Sequence, residues 1–319
     1  NKNAYTGKVN NPYDTRRISG GSSGGSAVLV AAGATAVSIG TDTGDSVRKP
    51  AAYNGIIGVK PTYGRISRYG IIPYASSLDH VGYFTTNVED ACTMLEVLAG
   101  RDDRDMTSSL RPVEAYRGHL NSDLRGKVIG VLENVQEVIR DQAIRDNVEA
   151  LCEKLAARGA LIRRVRMPQE LMETTLPVYL TIANAEATAN HSNLDGIRFG
   201  MREDGESVEE VMKNSRTKGF SAYVRKRFII GSYSLFVENQ DKLFRKAQKI
   251  RRLLVDHYRA LFAECDCILA SAAPTVAPLE DEASDEALGK EHLVADNHMQ
   301  LGNFSGYPSM TLPSGFVDG

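Results

Sequence analysis

The 319 residues contain no tryptophan and only four cysteines. Cys92, Cys152, Cys265 and Cys267 fall in apolar patterns or at a strand entrance, without the paired spacing of a zinc site. Cys265 and Cys267 stand too close together for one, with only His257 upstream for company, so no metal is expected. No apolar run approaches the roughly 20 residues that a membrane span requires. No basic-then-apolar signal segment opens the chain, and the expected compartment is the cytoplasm. Neither sign of charge dominates: Lys+Arg 38 against Asp+Glu 40 leaves a net charge of -2. The global basic footprint of a stand-alone nucleic-acid binder is therefore lacking, and any RNA contact falls to a partner.

What is present suffices for a sizeable core, since 42% of the residues are apolar. Two polar, Gly-dense loops dominate the first fifty positions: Gly20 to Ser26, and Gly40 to Pro50. Between them Ala27 to Gly33 reads as a short buried helix and Ala36 to Ile39 as a buried strand that delivers the second loop. A flexible linker has no need of packed Ala, Val and Gly between its halves. Consecutive residues such as Thr43, Gly44, Asp45 and Ser46 can aim several backbone N–H groups at one point, which makes an oxyanion site for acyl transfer. A serine closing such a nest is a weak nucleophile unless a neighbour takes its proton. Ser46 is thus the candidate nucleophile and Ser22 the candidate relay.

Farther on, Val88, Ala91, Cys92, Leu95 and Leu98 recur at helical spacing, with Gly100 as the stop. Ile71 to Tyr74 and Val81 to Phe84 read as short extended pieces. Lys127 to Leu132 reads as a strand, Ile144 to Leu155 as a helix ended by Gly159, and Leu161 to Val165 as a second strand. That β-α-β order predicts an α/β fold with parallel pairing. Helices are also expected over 177–189, 220–235 and 241–262, the last with Leu243, Ala247, Ile250, Leu254, Tyr258 and Leu261 on its buried stripe. Cys267 to Ser271 reads as a strand, 204–210 as acidic and exposed, and 280–291 as polar and mobile.

The loop pattern Gly-Gly-Ser-Ser-Gly-Gly-Ser, followed by Gly-Thr-Asp-Thr-Gly-x-Ser-x-Arg-x-Pro, resembles the amidase signature family. Within it the chain is most similar to the branch that serves tRNA-dependent amidotransferases. The similarity continues through Gly58 to Arg65, Ala75 to Asp79, Asp195 to Gly200 and Asn303 to Pro308. The resemblance implies a single α/β/α layered domain over 1–319 with a central mixed sheet. It also implies that both ends are incomplete relative to the family.

For chemistry, the resemblance implies a Ser46 acyl-enzyme, Ser22 after a cis peptide bond as proton relay, and Ser23 in support. The base is a neutral lysine that the family carries upstream of the first loop, and no position of this chain matches it. Lys60 falls at a structural position, and Lys49 is expected to face solvent. Asp45 stands where most amidases have Gly. It tolerates positive φ and is expected to turn its carboxylate away from the oxyanion. Ser221 and Tyr83 are further departures, at positions where Gly and Pro are common.

The implied substrate is glutamine, whose α-carboxylate and α-ammonium call for one cation and one anion in the pocket. Arg227 and Asp296 fit these roles, and Tyr179 matches a pocket position. Phe220, Val224, Arg227 and Gly231 share an inward stripe that leaves Arg225 and Lys226 outside. The implied partners are the B and C subunits of a heterotrimer. Glu-tRNA(Gln) would be handled mainly by the former, which would also use ATP and Mg2+, with no cofactor on this chain. The alternatives are a stand-alone hydrolase of another small amide and a non-catalytic scaffold subunit.

Overall fold

The computed structural model describes residues 2, 3, 5–281, 289 and 291–317. The expected α/β class holds, with antiparallel and parallel pairing in separate ladders. One sheet is antiparallel, in the order Ser38–Asp42, His80–Thr85, Ile57–Lys60, Ser309–Thr311. His80–Thr85 is buried at every position, as befits a central strand covered on both faces. Opposite it, Gly40 pairs with Gly82 and Asp42 with His80, so the strand that delivers the second Gly-rich loop has a fixed register. The Arg48–Tyr53 helix lies close on this sheet. A Cβ added at Gly58 would stand 2.5 Å from Ala51 Cβ and 2.9 Å from Val47 O, so only glycine permits the approach.

A second sheet is parallel, in the order Leu161–Val165, Val128–Leu132, Cys267–Leu269. The Gln142–Ala157 helix makes the expected crossover, with Asp141 as its N-cap accepting from Ala143 N and Ile144 N. The main core lies between this sheet and a helical layer. It gathers Leu132, Val135, Met167, Met172, Val178, Ile182, Leu254, Leu301 and Phe304. Thr175–Asn190, Ala222–Leu235 and Phe244–Phe262 match the three helices that periodicity predicts. Ala247 and Leu254 of the last are buried, and Ile250, Tyr258 and Leu261 pack against the core.

Two expectations are modified and one lies mostly outside the described residues. Residues 71–74 form no strand, because the Tyr74 and Ala75 N–H groups turn inward to the Asp79 carboxylate. The stretch read only as acidic and exposed leads into the Val208–Gly219 helix, capped by Ser207, whose side chain accepts from Glu210 N. Of 280–291, residues 282–288 and 290 lie outside the described residues. The two departures fit their surroundings. Ser221 caps the Ala222–Leu235 helix by accepting from Val224 N, and Tyr83 spans the core to donate to Ala91 O at 2.7 Å.

Candidate active site

Asp42, fully buried at the end of its strand, shapes the second loop. Its carboxylate accepts from the Val47 N–H at 3.0 Å and from Arg48 Nε and Nη2 at 3.1 and 2.9 Å. The chain must therefore fold back between 42 and 48. Arg48 also donates to Gly44 O at 2.8 Å, and Asp45 O accepts from Lys49 N at 2.8 Å. Both loop carbonyls are thereby turned toward the Arg48–Tyr53 helix. Among the described residues nothing accepts from the N–H groups of Gly44, Asp45 or Ser46, and Ser46 is half-buried beside them. Unpaired backbone donors require a partner unless water reaches them. Three in succession beside a hydroxyl make a cradle for an oxyanion. The Thr43 hydroxyl is held apart from them, donating to Asp79 Oδ1 at 2.7 Å.

The first loop meets the second through its backbone. Ser23 N donates to Ser46 O at 3.1 Å, while the Ser23 hydroxyl donates to Thr41 O at 3.0 Å and accepts from Thr41 N at 3.1 Å. The Gly21–Ser22 peptide is cis. Ser22 is exposed, and no hydrogen bond joins its hydroxyl to that of Ser46 among the described residues. The expected relay contact is thus not made; Ser23 forms the contact between the loops instead. Asp45 has no positive φ, since Asn121 is the one non-glycine with that geometry among the described residues. The backbone at 45 therefore does not call for glycine.

Tyr179 and Arg227 come together on one flank of the cradle. The Tyr179 ring lies over Gly44, where an added Cβ would stand 2.9 Å from Cζ. Burial raises its phenol well above the usual range. Arg227 donates to Tyr74 OH at 2.9 Å and Tyr223 OH at 2.6 Å, with its guanidinium 4.6 Å above the Tyr223 ring. No carboxylate lies within ion-pair distance of it among the described residues, so its charge is met only by neutral groups. As the stripe predicts, Arg225 and Lys226 are exposed while Gly231 is buried.

Asp296 lies in a different set. Contrary to expectation, Lys49 is buried rather than solvent-facing, and its ammonium donates to Asp296 Oδ1 at 2.6 Å and Asp296 O at 2.7 Å. Burial opposes the Lys49 charge, yet the Asp296 carboxylate overrides it and holds the group above the ordinary lysine range. The reason is the geometry of the helix, which aims Lys49 at the 291–296 segment. His292 Nδ1 stands 3.3 Å from Asp296 Oδ2, so both carboxylate oxygens have neighbours. Burial opposes the Asp296 charge too, but Lys49 and His292 hold its carboxyl well below the usual carboxylate range.

Asp45 turns toward the same lysine, with Oδ2 3.9 Å from Lys49 Nζ, beyond hydrogen-bond distance. Although a quarter of its side chain reaches solvent, the surrounding protein desolvates its carboxyl and pushes it up to about 6, against the pull of Lys49.

Lys60 is fully buried and donates to Tyr307 O at 2.6 Å and Pro61 O at 3.2 Å, a structural role as expected. Burial and the nearby Arg48 charge push its pKa far down. Asp42, Asp79 and Asn303 are the site residues to which motif reasoning gives no role. Their signal is a buried-polar residue type inside each quoted motif, but their partners lie far away in sequence. A cleft of 240 Å³ beside Arg68 and Asp105 and a cavity of 440 Å³ beside Tyr258 and Met299 do not include Ser46. The site rests on chemistry rather than on concavity.

A half-exposed serine thus ends a donor-lined turn and is tied through Ser23 to a second Gly-Ser loop. The chain belongs to the Amidase family, which matches residues 1–319. Among curated proteins it is 39% identical over 318 residues to the A subunit of glutamyl-tRNA(Gln) amidotransferase from Ruthia magnifica subsp. Calyptogena magnifica, covering 99% of this chain and 65% of that protein. It is 41% identical to the protein of the same name from Pseudomonas aeruginosa strain LESB58, covering 100% of this chain and 65% of that one. The crystal structure of the Thermotoga maritima protein of that name matches with a TM-score of 0.77 and 32% identity, over 98% of this chain and 63% of that one. Peptide amidase from Stenotrophomonas maltophilia matches with a TM-score of 0.77 and 27% identity, over 99% of this chain and 63% of that one. The chain thus spans just under two thirds of the length of these relatives.

Proposed function

We propose that this chain is the glutamine-hydrolysing part, the A subunit, of a tRNA-dependent amidotransferase. The observation that carries the reading is the run of unpaired N–H groups at Gly44, Asp45 and Ser46, flanked by Tyr179 and by a guanidinium without a carboxylate. The Ser46 hydroxyl attacks the side-chain amide carbon of glutamine and passes its proton toward a lysine by way of Ser22, whose hydroxyl must first turn to that of Ser46. The oxyanion is received by the loop N–H groups. Ammonia leaves with a returned proton, and water then releases glutamate from Ser46. The ammonia serves the partner B and C subunits, which amidate Glu-tRNA(Gln) with ATP and Mg2+ on the former. In this reading the lysine belongs to a longer chain, because Lys49 is held protonated by Asp296 and Lys60 is bound to core carbonyls.

One observation favours a second reading. Asp296 already holds an ammonium, that of Lys49, which suits a stand-alone amidase whose substrate has no α-ammonium. Ammonia release from glutamine tests both readings, in the full-length protein and in residues 1–319 alone. The expected result is turnover by the full-length protein, abolished in Ser46→Ala, and none by residues 1–319. Undiminished turnover in Ser46→Ala would remove the nucleophile. Turnover of a simple amide but not of glutamine would select the second reading.

A further inference from the structure

Given the glutamine reading, on which this rests, we infer that the Tyr74 hydroxyl is the positioning group that aims the Arg227 guanidinium at the substrate carboxylate. It thereby sets the preference for amides that carry one. Tyr74 directly precedes the Ala75 to Asp79 motif. Its hydroxyl accepts from Arg227 Nη1 at 2.9 Å and donates to Asn184 Oδ1 at 3.4 Å, so Asn184 takes the proton and a lone pair is left for the guanidinium. Of the five N–H donors of Arg227, Tyr74 takes one and Tyr223 another, and among the described residues the others meet no acceptor. A guanidinium held in place with donors to spare suits a planar carboxylate.

The two tyrosines differ in what they hold the guanidinium against. Tyr223 is exposed and precedes Arg227 by one turn of the Ala222–Leu235 helix, so it steadies the group only against its own helix. Tyr74 comes from another part of the chain and is itself fixed. Its N–H donates to Asp79 Oδ2 at 2.8 Å, its carbonyl accepts from Asn190 Nδ2 at 3.0 Å, and its ring meets that of His191 edge-on with centroids 5.7 Å apart. The other oxygen of Asp79 accepts from the Thr43 hydroxyl at 2.7 Å, in the loop that carries Gly44, Asp45 and Ser46. A continuous hydrogen-bonded line therefore runs from the oxyanion loop through Asp79 and Tyr74 to Arg227. Without the Tyr74 hydroxyl the guanidinium is registered on its helix alone. A substrate anchored by its carboxylate then loses orientation at the nucleophile, and one without a carboxylate has no such anchor to lose.

The test is steady-state kinetics of the full-length protein on glutamine and on butyramide, which keeps the amide on a chain without a carboxylate. Tyr74→Phe removes one oxygen and keeps the ring. It is expected to lower the kcat/KM ratio of glutamine to butyramide at least about tenfold, chiefly through a raised KM for glutamine. Glutaramate, with the carboxylate but no amino group, should follow glutamine, and Tyr223→Phe should lower the ratio several-fold less. Equal losses on glutamine and butyramide in Tyr74→Phe, a loss carried by kcat alone, sparing of glutaramate, or an equal effect of Tyr223→Phe would overturn the inference. Arg227→Ala losing equally on glutamine and butyramide would instead overturn the reading on which it rests.

Discussion

At the scale of a single residue, Asp45 is the carboxyl next in sequence to the candidate nucleophile Ser46. Burial pushes its carboxyl up to about 6, from an ordinary value of 3.8. The folded chain therefore holds that proton more tightly than the unfolded chain does. Stability from this group falls as pH rises from about 4 through about 6, and the full penalty applies above that window. Its upper bound is about 3 kcal/mol, reduced because part of the side chain reaches water. Asp45→Asn removes the charge and is expected to raise the melting temperature at pH 8 while leaving it nearly unchanged at pH 4. Melting curves at the two pH values decide the matter, and an equal shift at both would show that the ionised carboxylate is not the strained group.

Among the elements, the contact between Thr175–Asn190 and Ala222–Leu235 sets the Arg227 flank. Gly231 makes it possible: a Cβ there would stand 2.1 Å from Asn184 O and 2.3 Å from Thr188 Oγ1. Gly231→Ala must push the two helices apart, at a cost of about 1–3 kcal/mol. It should also move Arg227 relative to Tyr74 and raise the KM for an amide that carries a carboxylate. Gly219→Ala is the control, because its nearest neighbour is the flexible Met201 side chain at 3.0 Å. Chemical denaturation of both variants is expected to show a loss for Gly231→Ala well beyond that for Gly219→Ala; equal losses would mean that the helices are not in forced contact.

At the scale of the whole molecule, Arg48 joins parts of the chain about 250 residues apart. Besides Asp42 and Gly44 O it donates to Met299 O at 2.7 Å, Asn303 Oδ1 at 2.6 Å and Ser309 Oγ at 3.3 Å. Arg48→Leu leaves the Asp42 carboxylate buried without its cation and is expected to cost about 3–5 kcal/mol. Urea unfolding measures the loss, and a change below about 1 kcal/mol would mean that Asn303 and the backbone hold Asp42 unaided. The same substitution releases Gly44 O, so the oxyanion cradle and the fold depend on one guanidinium.

Much of this is legible in the sequence, because short-range patterns govern it. The β-α-β unit, the Thr175–Asn190 and Phe244–Phe262 helices and the inward stripe of Arg227 follow from apolar periodicity, which repeats within a few residues. The Val208–Gly219 helix has a local signal too, the spacing of Ser207 and Glu210 as a capping box, which the acidic character of the stretch obscures. The two Gly-Ser loops and their family likeness are likewise local in sequence.

Tertiary structure alone decides what the charged groups do. Lys49 reads as a solvent-facing lysine because charge runs usually are, and its burial depends on Asp296, 247 positions away. The same lysine is hydrogen-bonded to Asp296 at 2.6 Å and reaches Asp45 only at 3.9 Å. No spacing rule encodes a partner so remote. A buried charge persists only where the folded chain brings its counterion to hydrogen-bond distance.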